Sequence, residues 1–349
     1  MAPWASHHLG MRIRRPLLLG SSVVLAVLTA ACNGSNGDES PIATGSPSLP
    51  AASQLELVTT VQVGAKPWAL ALNSATNRLY VANEAAASVA VIDTASSEVT
   101  ATIPVGEGPV ALAIDSEVNR IYVANAWSAT ISVIDGETNT VASTFAAGER
   151  PRGIGVNTST GRFYVADEER DEVLVFDAAT NQVLKTVTAG DRAWSIAVNP
   201  DTNRIYVANG SGNTVSVIDG VKDEVVATVP TGGQPFNMVI DRVANRVYVT
   251  NTEGGSLTVI DGKTDDVIAT IPTGQGAWAV DLDPGTNLLY VANGFDNTIA
   301  VVDGASGNVV RSFTQRDQPW AVAAYPPSDL LYVAYGTGET VAAFKMATR

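Results

Sequence analysis

The sequence predicts an all-β chain folded as a seven-bladed β-propeller of four-stranded antiparallel blades. Three observations carry this. The tetrapeptide Tyr-Val-Ala-Asn, or a close variant, starts at Tyr80, Tyr122, Tyr164, Tyr206, Tyr248, Tyr290 and Tyr332, always 42 residues apart. Each interval holds four strand-length runs rich in Val, Ile and Thr, parted by Asn, Asp, Gly, Ser and Thr. The outer strand missing from the last repeat is found ahead of the first. Four short strands per unit of about 40–45 residues is the pattern of a propeller blade. A solenoid would need capping repeats at its ends, and none is visible.

In the first repeat the strand signals fall at 68–73, 78–83, 88–93 and 98–105. An Asp closes a Val-Ile-Asp run or its variant at Asp93, Asp135, Asp177, Asp219, Asp261 and Asp303. A Gly recurs at Gly64, Gly106, Gly148, Gly190, Gly232 and Gly274. The repeated Tyr is expected to pack between blades, its hydroxyl on a backbone partner. The Asp is expected to cap the turn to the outer strand. The last repeat ends near Phe344 with three strands, while residues 55–63 align with the outer strands at multiples of 42. They should complete the last blade and leave no open edge.

These motifs resemble those of the YVTN-family β-propeller repeat proteins, over about residues 55–349; the tetrapeptide reads Tyr-Val-Thr-Asn itself at Tyr248. The resemblance implies a propeller and an exported or surface-associated protein of bacteria or archaea. It does not imply one activity, since that family's functions are diverse. The docking tryptophans of quinoprotein dehydrogenases and the Gly-His and Trp-Asp signatures of WD40 blades are missing. So is the Cys-x-x-Cys-His of haem attachment.

Ahead of the repeats lies an address. Arg12, Arg14 and Arg15 precede an apolar stretch, 17–31, of signal-peptide length, which ends Leu-Thr-Ala-Ala-Cys at Cys32. The expected domains are a signal peptide with a lipobox-like site (1–32), a flexible Gly/Ser/Pro linker (33–54) and the propeller (55–349). Cys32 would take a lipid, and a linker of that length would hold the domain roughly 25 Å from the membrane. A membrane-anchored lipoprotein in the periplasm or on the cell surface, monomeric, is the expectation; an ordinary cleaved signal with an incidental Cys is the alternative.

Composition narrows the chemistry. Cys32 is the only cysteine, and both histidines, His7 and His8, precede it. The exported chain would hold no disulfide and no histidine, which removes most routes to zinc, copper, haem or His-based catalysis. No metal and no cofactor is expected. The net charge is −14, and −17 once the three arginines before Cys32 are gone. Nucleic acid is therefore a poor partner.

Candidate site residues come from rows that break the repeat. The start of the innermost strand reads Trp68, Val110, Arg152, Trp194, Phe236, Trp278 and Trp320, beside one mouth of the channel. It is either an apolar layer between blades or a stacking platform for a peptide, a carbohydrate or another ligand. The third repeat carries Glu149 and Arg150 in one loop and Asp167, Glu168, Glu169, Asp171 and Glu172 in another, expected to cluster as a solvated surface or a docking site for a basic partner. Asp281 stands where other innermost strands have Ala, Gly or Val. It is expected to face the channel or to pair with an Arg or a backbone amide. A binding or protein-interaction scaffold is the leading expectation. An enzyme of the lactone hydrolase or lyase type is the alternative, with Glu107, Glu149, Asp191 and Asp317 on the candidate face.

Overall fold

The structure, a computed structural model, describes residues 55–315 and 317–346. The expected signal peptide, Cys32 and the linker lie outside the described residues. Seven four-stranded antiparallel sheets form the seven blades. The chain first lays down β1 (Leu57–Gln62) and then the first blade, β2 (Pro67–Asn73), β3 (Arg78–Asn83), β4 (Ser88–Asp93) and β5 (Glu98–Pro104), from the channel outward. Five more blades repeat this order. The last supplies Pro319–Tyr325, Leu330–Tyr335 and Thr340–Lys345, and β1 pairs antiparallel with Thr340–Lys345, with Val61 opposite Val341. The expected ring closure is therefore present.

The turn residues act as their chemistry dictates. Asn77, Asn119, Asn203, Asn245 and Asn287 take positive φ in the first hairpin of their blades, a conformation that Asn tolerates better than most residues. Asp93 Oδ1 accepts the Ala95 and Ser96 amides at 3.0 and 2.9 Å, and Asp135, Asp177, Asp219, Asp261 and Asp303 do the same in their turns. The capping role expected for this Asp is the observed one. These bonds hold the Asp93, Asp135, Asp177 and Asp219 carboxyls below their ordinary value. The repeated Gly lies against the Asn closing the tetrapeptide: a Cβ on Gly64 would stand 2.8 Å from Asn83 Nδ2. That Asn in turn donates to the hydroxyls opening the next strand, Asn251 to Ser256 and Thr258 at 3.1 and 2.9 Å.

Apolar clusters form the blade interfaces, and one of them joins the last blade to the first through Tyr332, Val333's neighbour Ala334, Leu79 and Val81. All seven repeated tyrosines are buried there. Tyr248 Oη donates to Gly304 O of the following blade at 3.2 Å and Tyr332 Oη to Thr94 O at 3.5 Å, the expected backbone partners. The hydroxyls of Tyr80, Tyr122, Tyr164 and Tyr206 find none among the described residues. Arginines at the start of the second strands also reach forward: Arg120, Arg162 and Arg246 Nη1 donate to turn carbonyls of the next blade at 3.1, 3.3 and 2.9 Å. Each blade is thus latched to its successor by packing and by polar bonds.

Candidate functional site

Because the blades repeat without gaps, one position of each innermost strand forms one layer around the axis. At the second residue that layer holds Trp68, Val110, Arg152, Trp194, Phe236, Trp278 and Trp320. The side chains meet one another over the channel. Trp68 and Trp320 have ring centroids 4.2 Å apart, Trp278 and Trp320 4.7 Å, and Trp194 and Phe236 5.0 Å. The Arg152 guanidinium carbon lies 4.5 Å from the Trp194 ring and 5.6 Å from that of Trp68, so it bridges the two aromatic groups. It reaches past Val110, the smallest member of the layer. Trp278 is buried at 8% exposure and Arg152 likewise at 8%; Trp68, Trp194, Phe236 and Trp320 are half-buried. Trp278 meets Trp320 on one side and Phe295, 48% exposed, on the other.

A second row, sixteen residues further on, shapes this lid. Its members are Glu84, Ala126, Glu168, Gly210, Thr252, Gly294 and Gly336. The Trp194 ring lies over Gly210, where a Cβ would stand 3.1 Å from Cε3, and a Cβ on Gly294 or Gly336 would overlap Trp278 or Trp320. Glycine at these positions makes room for the indoles. Where the lid has a cation, the second row has a carboxylate. Arg152 Nε bonds Glu168 Oε2 at 2.8 Å, and Lys66, 5.1 Å from the Trp68 ring centroid, pairs with buried Glu84. This second row was not singled out from the sequence, although the 42-residue alignment displays it.

The charged loops of the third blade do come together. Arg150 reaches Glu169 at 3.0 Å and Arg170 reaches Glu149 at 2.8 Å. Asp167 and Glu168 are turned inward. Asp167 accepts the Glu149 and Arg150 amides at 2.7 and 3.0 Å. Glu168 is held by three guanidiniums: Arg152, Arg150 at 3.2 Å and Arg192 Nε at 3.0 Å. Burial alone would raise its carboxyl, but these arginines override that and hold it below the ordinary value. Glu149 and Glu169 remain exposed and Glu172 half-buried; Asp171 Oδ1 accepts the Arg192 amide at 2.6 Å. Glu107, Asp191 and Asp317 are exposed.

Beneath the lid lies a cavity of about 450 Å³ along the axis. Asp281 faces it, and its partners are the backbone amides of Ala324 at 2.8 Å and Leu282 at 2.9 Å. Half-buried in the channel, its carboxyl is pushed up to about 6 by desolvation, against these two bonds. Asn237, one blade earlier, accepts the Val280 amide at 3.2 Å in the same way. Both side chains therefore staple their strand to the next. Among the described residues no group of three or more His, Cys, Asp or Glu is placed to hold a metal ion.

No protein-family model and no curated protein sequence matches the chain. Among solved structures it is similar to the Kuenenia stuttgartiensis hydrazine synthase, with a TM-score of 0.73 and 17% identity over 87% of this chain and 100% of that one. At this identity the likeness is one of fold.

Proposed function

We propose that this chain is an exported, membrane-anchored, non-catalytic binding module, a YVTN-type propeller whose small ligand is held at the lidded mouth of the channel. One observation carries the reading. Six of seven blades send a large aromatic or cationic side chain into one layer, and a second row supplies Gly under Trp194, Trp278 and Trp320 and Glu beside the cations Lys66 and Arg152. Seven near-identical blades would pack with any repeated apolar residue there, so the divergence of this layer points to a ligand rather than to the ring. The layer also roofs a cavity within the size range of small-molecule sites. Cys32 supplies the anchor in this account, and the exposed charges Glu149 and Glu169, with half-buried Glu172 beside them, offer a secondary surface for a protein partner.

The test is a small-molecule screen read by indole fluorescence, followed by Trp68→Ala. The variant should weaken a stacked ligand by roughly 1–3 kcal/mol while the ring stays folded. A ligand that binds the variant unchanged would move the site elsewhere.

A second reading, a lactone hydrolase or lyase, has one observation in its favour. Asp281 presents a carboxyl pushed up to about 6 inside a cavity, the range that suits a general acid or base. Turnover of a lactone that is lost in Asp281→Asn would establish it.

A further inference from the structure

Among the described residues two charged side chains line the cavity, Arg152 and Asp281. They belong to the third and sixth blades, as far apart as a ring of seven allows. They also sit at different heights, Arg152 being the second residue of Pro151–Asn157 and Asp281 the fifth of Ala277–Asp283. The side chains between them are mostly apolar, with Ile154, Ile196 and Met238, and Ser195 and Asn237 stand among them. A cation at one end and a carboxylate at the other complement a molecule whose own charges are held apart by an apolar body.

The channel wall adds a second constraint. The innermost strand of each blade pairs on one side only, so its remaining N–H and C=O groups face the axis. Val280 and Ala324 show what such amides accept as partners: the side-chain oxygens of Asn237 and Asp281. Elsewhere along the wall a peptide group would satisfy them equally well.

Resting on the binding role proposed above, we infer that the ligand is a short apolar peptide with free termini, its carboxylate on Arg152 and its ammonium toward Asp281. A cavity of about 450 Å³ is small for a ligand site and suits about two apolar residues. Arg152 can turn to a ligand carboxylate without stranding Glu168, which keeps Arg150 and Arg192. Arg152 also covers the place where the lid has only Val110, so its movement opens the cavity at that point.

The experiment is calorimetric titration of the full chain with Leu-Leu, N-acetyl-Leu-Leu and Leu-Leu amide, with indole fluorescence followed in parallel. Leu-Leu should bind. Blocking either terminus should weaken binding about tenfold or more. The acetyl block should make little further difference in Asp281→Asn, and the amide block little in Arg152→Gln, because each variant has already lost that contact. If Arg152→Gln fails to fold, the two blocked peptides on the unaltered protein still decide. Equal binding of blocked and free peptides overturns the inference. So does a Leu-Leu titration with no heat while singly charged or neutral molecules perturb the lid tryptophans, an outcome that leaves the binding role standing. If no compound of any class perturbs them, both fall.

Discussion

Asp281→Asn isolates one carboxyl whose folded environment opposes its charge. In the folded chain its pKa is pushed up from 3.8 to about 6, a rise of about two units, worth about 3 kcal/mol. Between these two values the folded state holds a proton that the unfolded state has released. Stability from this group is therefore full below about pH 4 and falls as pH rises through 6. The asparagine variant cannot titrate, and its Oδ1 keeps one of the two amides, Ala324 or Leu282. Loss of the other bond costs about 1 kcal/mol. Urea unfolding from pH 4 to 7 should show the variant less stable by about 1 kcal/mol at pH 4 and more stable by up to about 2 kcal/mol at pH 7, the curves crossing in between. The turn-capping aspartates have depressed values and act with the opposite sign, losing stability as pH falls below the ordinary carboxylate range; both proteins share them, so they cancel in the difference. Parallel curves would refute the desolvated carboxyl.

Other perturbations test the lid and the ring. Trp278→Ala should cost about 3–5 kcal/mol of stability, measured by denaturant unfolding, because this indole is buried against Trp320 and Phe295. Gly294→Ala should cost about 1–3 kcal/mol in the same assay, since its Cβ would overlap the Trp278 ring; Gly161→Ala, with open space around it, isolates the backbone cost of positive φ. Deleting β1 should bare the edge of Thr340–Lys345 and lower the melting temperature or cause aggregation; an unchanged monomer would contradict the closure. Cys32→Ser should abolish lipid labelling and release the protein from membranes, and a parent protein without label would make Cys32 incidental.

The ring was legible because its repeats carry no insertions. One alignment places Tyr80 and its six counterparts in one layer, and residues 55–63 in the outer strand of the last blade. The same alignment exposed the row from Trp68 to Trp320 as divergent. It also contains Gly210, Gly294 and Gly336 under three tryptophans and Glu168 under Arg152, a pairing that becomes visible only when two rows sixteen residues apart are compared. What periodicity cannot convey is reach across the ring. Arg152 touches Trp68 two blades away because Val110 is small, and rotamers are not periodic. The staples lay between these cases. Asn237 to Val280 and Asp281 to Ala324 both span 43 residues, one more than the repeat, so a side chain that crosses to the next strand leaves a trace in the numbering.

The lid as a ligand site is tested most directly by fluorine NMR of protein labelled with 5-fluorotryptophan and titrated with Leu-Leu and with the compounds of the fluorescence screen. Trp127, 54% exposed and outside the lid beside Gly108, is the internal control; Trp→Phe variants assign the signals. Saturable shifts of the Trp68, Trp194, Trp278 and Trp320 resonances, with Trp127 unmoved, are the predicted result. Lid resonances that stay fixed, or a shift confined to Trp127, would contradict it.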